Sequence, residues 1–285
     1  MPAHVLPFHR PLSIGEVLDA TFALFRLAIG KCLLLALCAV VIGKLPTAID
    51  LARGAPLTMS APKDTVWFVI IILTGIANLL LWALLLLRQQ AIATGGVTDF
   101  NAELRDTLVR APGTLAVLLV SIPLWVLVGT GALVWGASLF PGLPQLPWPN
   151  LWRLLFLPAA WLALMLWFAL PARVLSRLSV TESIRRSFAL VTLNWWRSAA
   201  ILTVAAFAIL VFYALGGVLG LLIAQLIAAA DFTVANLTTQ VVFTLLGGVC
   251  MIFLVALGIV QYADLGVRRG GEDLVARIEA LEPSA

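Results

Sequence analysis

Cysteine, histidine and charge are all scarce in this chain. Its three cysteines, Cys32, Cys38 and Cys250, are dispersed through apolar segments. That spacing excludes a disulfide framework and a thiolate metal site, and leaves the thiols as small packing residues. The two histidines, His4 and His9, lie either side of Pro7. Proline argues against one helix presenting both. The 14 acidic residues are scattered through termini and loops, whereas metal-assisted phosphodiester hydrolysis needs clustered carboxylates or histidines. No Gly-rich phosphate loop, Gly-x-Ser-x-Gly or Cys–His arrangement is present. The expectation is a non-catalytic protein with no cofactor, no metal and no catalytic residue. Charged residues are only 11% of the chain, against about 25% in soluble domains.

What the chain has instead is apolar length. It is 62% hydrophobic over 285 residues, with a mean hydropathy of +1.07. Six runs approach or exceed the roughly 20 residues that cross a bilayer: Cys32 to Ile49, Val66 to Leu87, Thr114 to Leu139, Leu154 to Pro171, Ser198 to Ala228 and Leu237 to Tyr262. The predicted fold is an all-α polytopic bundle of six transmembrane helices, a single membrane domain over 1–285. The fifth run is overlong and Gly-rich, which makes it a candidate for a broken helix around a substrate. Asn78 and Gln225 are the most deeply placed polar side chains, and interhelical hydrogen bonding is their commoner use. Gly216 and Gly220 make a Gly-x-x-x-Gly, read as close packing inside the bundle.

The net charge is +4, but the basic residues border apolar runs, which points to topology rather than nucleic acid. With the N-terminus inside, only Lys44, Arg53, Lys63 and Arg153 of the 18 Lys and Arg residues fall outside. Both termini are therefore expected in the cytoplasm, in a bacterial inner membrane. The outer segment Pro141 to Asn150 has four prolines and reads as a stiff cap with Trp148 at the interface.

One segment is written twice. LSIGEVLDATFALFR starts at Leu12, and LSVTESIRRSFALVT starts at Leu178. Ser13 with Glu16, and Ser179 with Glu182, each fit a capping box before an apolar run. Each copy then suits a helix lying at the interface before entering the bilayer at Lys31 or Arg197. A weaker third copy spans Thr98 to Arg110, in ambiguous register. The organisation follows as three units, about 10–93, 97–172 and 176–265, with a tail at 266–285. Between the copies the charge changes: Asp19 stands opposite Arg185, and Ala20 opposite Arg186. Either the solvent faces are free to vary, or Glu16 and Asp19 meet Arg185 and Arg186 across a pseudo-symmetry axis, or the arginines receive an anionic lipid or partner. Near the C-terminus, Tyr262 suits the aromatic belt and Arg268 with Arg269 suits anionic headgroups. Beyond Gly270 and Gly271, the stripe Leu274, Ile278 and Leu281 suits docking on a membrane or partner.

RPLSIGEVLDATFALFR, the copy with Glu182 and Arg185-Arg186-Ser187, and the terminal Tyr262-x-Asp264-Leu265-x-Val267-Arg268-Arg269 with Asp273-Leu274 together resemble a bacterial family. It is the group of membrane proteins classed with the glycerophosphoryl diester phosphodiesterase membrane domain. Gly266 departs from the arginine expected in the terminal motif. The resemblance implies a multi-span helical bundle. The catalytic barrel to which such domains are fused elsewhere is absent from this sequence. The functional expectation is a membrane scaffold or accessory subunit engaging membrane lipids or a membrane-protein partner at its cytoplasmic face, with oligomeric state undetermined. A transporter of an uncharged or lipidic substrate is the alternative.

Overall fold

Helix runs almost without interruption through the computed structural model, which describes residues 5–52, 65–139, 149–227 and 232–270. Eight helices lie among the described residues, and no strand: α1 (Ile14–Ala52), α2 (Thr65–Ala93), α3 (Phe100–Leu139), α4 (Pro149–Leu166), α5 (Ala169–Leu175), α6 (Val180–Thr192), α7 (Trp195–Ile227) and α8 (Phe232–Gly270). Six stretches are long and apolar enough to cross a bilayer. The chain is a multi-pass, all-α integral membrane protein, a form in which every backbone group is satisfied within its own segment. The cap at Pro141 to Trp148 and the stripe of Leu274, Ile278 and Leu281 lie outside the described residues.

Consecutive crossings run antiparallel. Asn78 Nδ2 on α2 donates to Ala39 O on α1 at 2.8 Å. Glycine lets other backbones close up. A Cβ at Gly131 of α3 would fall 2.6 Å from the Phe156 ring of α4, and one at Gly216 of α7 would fall 2.0 Å from Leu246 of α8. The Gly-x-x-x-Gly of α7 is thus used inside the chain, as small residues are at membrane helix contacts. The hub is α8, whose Ile252, Val255, Ala256, Leu257, Ile259 and Val260 are buried. Against the core α1 turns a buried stripe of Val17, Leu24, Ala28, Cys32, Ala36 and Ala39, at the helical spacing of one apolar face. Phe207, Leu210, Leu215, Leu219 and Leu222 of α7 stay exposed, which lipid tails tolerate because they are as apolar as these side chains.

The helices outrun the predicted spans at one end, where Val5, Gly270 and most described arginines collect. At this arginine-rich end the sixth crossing continues eight residues past Tyr262, to Gly270. Two of the three expected interfacial helices are not separate. α1 and α3 run unbroken from their polar starts through the crossings; only the second copy, α6, stands alone. At 39 residues, α1 is about 58 Å long, nearly twice the hydrocarbon thickness of about 30 Å. Its charged first turns therefore reach the interface without a bend.

The three starts share a pattern. Ser13, Asp99 and Ser179 immediately precede α1, α3 and α6. Buried positions then follow at one spacing: Val17, Thr21, Leu24; Glu103, Thr107, Arg110; Ser183, Ser187, Leu190. This places the third segment in register with the other two.

The broken crossing is the fourth, not the fifth. α7 is continuous, whereas α4 ends at Leu166 and α5 begins at Ala169. Pro171 explains the site of the break: its ring clashes with the carbonyl four residues back, at Trp167, and it offers no N–H. Buried Ser187 of α6 patches the gap. Its hydroxyl donates to Met165 O at 2.5 Å and accepts from the Phe168 N–H at 3.1 Å.

Candidate functional site: an arginine-rich end and an apolar cleft

Asp264 organises the arginine-rich end. Its side chain is 2% exposed, so its charge is sustained by partners. One oxygen accepts the Leu12 N–H at 2.7 Å, and the other accepts Arg197 Nη2 at 3.0 Å. Arg268 Nε reaches the same carboxylate at 3.1 Å. Both arginines also donate to Leu12 O. One carboxylate and the backbone of one residue, Leu12, therefore tie the N-terminal segment to the start of α7 and the end of α8. Asp264 stood in the terminal motif, but nothing in the sequence pointed to Leu12 as its mate, because the bond spans 252 residues.

A second clamp holds α3 to α5. Asp106 pairs with Arg110 and, at 3.3 Å, with Arg177. Arg110 also donates to Val174 O. Arg173 donates to Leu178 O at 2.5 Å, and its guanidinium occupies the space a Cβ at Gly113 would need, 2.2 Å away. Between α2 and α3, Arg88 and Glu103 face each other at 4.0 Å, both largely buried, without a hydrogen bond between them.

The sequence-predicted residues divide into those used locally and those left open. Ser13 and Glu16 form a capping box, with Ser13 N–H donating to Glu16 at 2.7 Å and Glu16 N–H to Ser13 Oγ at 3.2 Å. Glu16 also pairs with Arg10. Ser179 and Glu182 form the second box, and hydrogen bonds from Ser179 hold the Glu182 carboxyl below its usual range. The proposed cross-unit pairing is not made: neither Glu16 nor Asp19 meets Arg185 or Arg186. Arg268 is spent on Asp264, Arg269 donates to Ala189 O, and Tyr262 bonds Ser176 at 2.7 Å. Among the described residues, Asp19, Arg185 and Arg186 have no ionic partner. Arg185 is exposed and Arg186 half-buried.

Comparison with protein-family models, with curated proteins and with solved structures returns no match.

The second feature lies within the membrane-spanning part. A cleft of about 640 Å³ opens between α1, α2, α3, the α4–α5 break and α8. Ligand pockets commonly have volumes of this order. The hydroxyls of Thr74 and Ser121 and the amide of Asn78 in its wall donate to helix carbonyls: Thr74 to Ile70 O at 2.8 Å, Ser121 to Val117 O at 2.9 Å, and Asn78 to Ala39 O. Towards the arginine-rich end it is closed by buried Leu86, Val117, Leu166 and Pro171; at the other end Gly43, Ile71 and Gly75 are exposed. No sequence signal marked this cleft, because its wall is drawn from five separated segments. Gln225, the other deep polar residue of the sequence, is exposed on α7.

Proposed function

We propose that this protein is a non-catalytic scaffold or accessory subunit of a bacterial inner membrane. Its arginine-rich end is cytoplasmic and engages anionic lipid or a membrane-protein partner. Its placement among the phosphodiesterase membrane-domain proteins belongs to the same proposal, carried by the motifs at Leu12, Glu182 and Asp264. The observation that supports the reading most is the contrast among arginines. Arg110, Arg177, Arg197 and Arg268 are committed to carboxylates, while Arg185, exposed, and Arg186, half-buried, have no ionic partner on a short capped helix. The apolar residues Val180, Ile184 and Phe188 of that helix pack onto Leu166 and Ala169. A cationic face held this firmly suits an anionic surface.

The test replaces both open arginines with glutamate and reconstitutes the protein in vesicles of phosphatidylcholine with phosphatidylglycerol. Native mass spectrometry of the wild type should retain phosphatidylglycerol or a co-purified membrane protein, and the variant should lose at least tenfold of it. Equal retention by both proteins would overturn the docking reading.

The cleft favours a second reading, a permease for an uncharged or lipidic substrate. Flux across liposomes containing the purified protein alone would establish it in place of the first.

A further inference from the structure

Two glycines in the cleft wall have no packing reason to be glycine. Gly43, Gly131, Gly216 and Gly248 each make room for a neighbour within 3 Å of where a Cβ would sit. Gly75 of α2 and Gly258 of α8 line the cleft and face nothing within 4 Å. Gly258 is nonetheless buried, so the space before it is internal. Glycine within a helix costs about 1 kcal/mol relative to alanine, and here no approaching helix offsets that cost. What the two glycines preserve is the volume of the cleft itself.

The dimensions of that volume point to its occupant. On α2 the wall runs from Trp67 to Leu86, 19 residues apart, or about 28 Å along the helix. Spread over this length, the roughly 640 Å³ open to the centres of guest atoms has a mean cross-section of about 22 Å², a path about 5 Å across for those centres. One hydrocarbon chain, whose carbons touch wall carbons at about 4 Å, passes along such a path. The length approaches the full hydrocarbon depth of about 30 Å. With its hydroxyls and the Asn78 amide already donating to carbonyls, the wall selects an apolar guest.

We propose that the cleft binds one hydrocarbon tail of a membrane lipid, drawn in lengthwise from the leaflet remote from the arginine-rich end. The proposal rests on the cleft alone, so the docking and permease readings can each fail without it.

The test uses the full chain in phosphatidylcholine vesicles carrying a phosphatidylcholine with a photoactivatable group at one chain terminus. In the native protein, cross-links should map to cleft residues such as Leu79, Val117, Leu170 and Val255. The Gly75→Leu/Gly258→Leu protein should lose at least tenfold of them and keep those on the outward face of α7. Gly129→Leu, at an exposed helical glycine outside the cleft, should keep the native map. Native cross-links confined to outward faces would overturn the proposal. So would cleft cross-links unchanged in the double variant, since filled space cannot hold the tail.

Discussion

The first and second copies of the repeated segment start alike and end differently. Both open with a serine–glutamate cap, and both bury the same three positions, Val17, Thr21 and Leu24 in one and Ser183, Ser187 and Leu190 in the other. The first then continues as α1 to Ala52, while the second stops at Thr192. The equivalent positions just beyond are Ala28 and Asn194. Alanine is the best helix former and asparagine is favoured at caps. Ala28 is fully buried in the core around α8. Asn194 N–H instead donates to Val191 O, and Asn194 O accepts from Ser198 at the start of α7. A shared start thus sets a helix going, and the two copies part where, fifteen positions past the cap, one carries a buried alanine and the other an asparagine that joins α6 to α7.

The clamp at Asp264 ties the start of the first copy to the helix that follows the second. Asp264→Ala should have the largest effect, lowering stability by about 3–5 kcal/mol, because it leaves Arg197 and Arg268 partly buried without their carboxylate. Thermal unfolding in mild detergent would read this loss, and a variant as stable as the wild type would remove the clamp from the account. The equivalent buried hydroxyls, Thr21 and Ser187, separate the two copies. Ser187→Ala should cost about 1–3 kcal/mol, since it strips the α4–α5 break of a donor and an acceptor. Thr21→Val should cost close to nothing, because Thr21 only donates to Val17 O of its own helix at 2.7 Å. Equal losses would mean that the break does not depend on Ser187.

The smallest differences concern the caps. Ser179→Ala should cost about 1 kcal/mol. Ser13→Ala should cost less, because the Asp264 clamp already fixes Leu12 beside it. The Glu182 carboxyl is held below its ordinary range, so its contribution to α6 is complete above that range. It disappears as pH falls through the lowered value. Amide protection in the first turn of α6, taken relative to the intrinsic exchange rate at each pH, should therefore fall in strong acid and stay flat between mildly acidic and neutral pH.

Six crossings, the two capping boxes and the clustering of arginine were legible from the residues. Hydropathy, helix caps and charge are local properties, and a bilayer leaves few alternatives to helix. The Asp264–Leu12 bond, the Ser187 bridge and the cleft were not legible, for each joins segments far apart in sequence. The glycines of α7 show the limit. Gly216 and Gly220 read as close packing with a hinge as the lesser alternative, and Leu246 beside the first and Val242 beside the second make them a contact.

By itself, then, the sequence determined that this chain crosses a membrane six times as helix and where two of its polar helices begin. Only the tertiary structure decided which arginines are spent and which are open, and which glycines face a neighbour and which face a void. Composition and caps act through the nearest few residues of one chain segment. Pairing and empty space depend on how separated helices come to rest against one another.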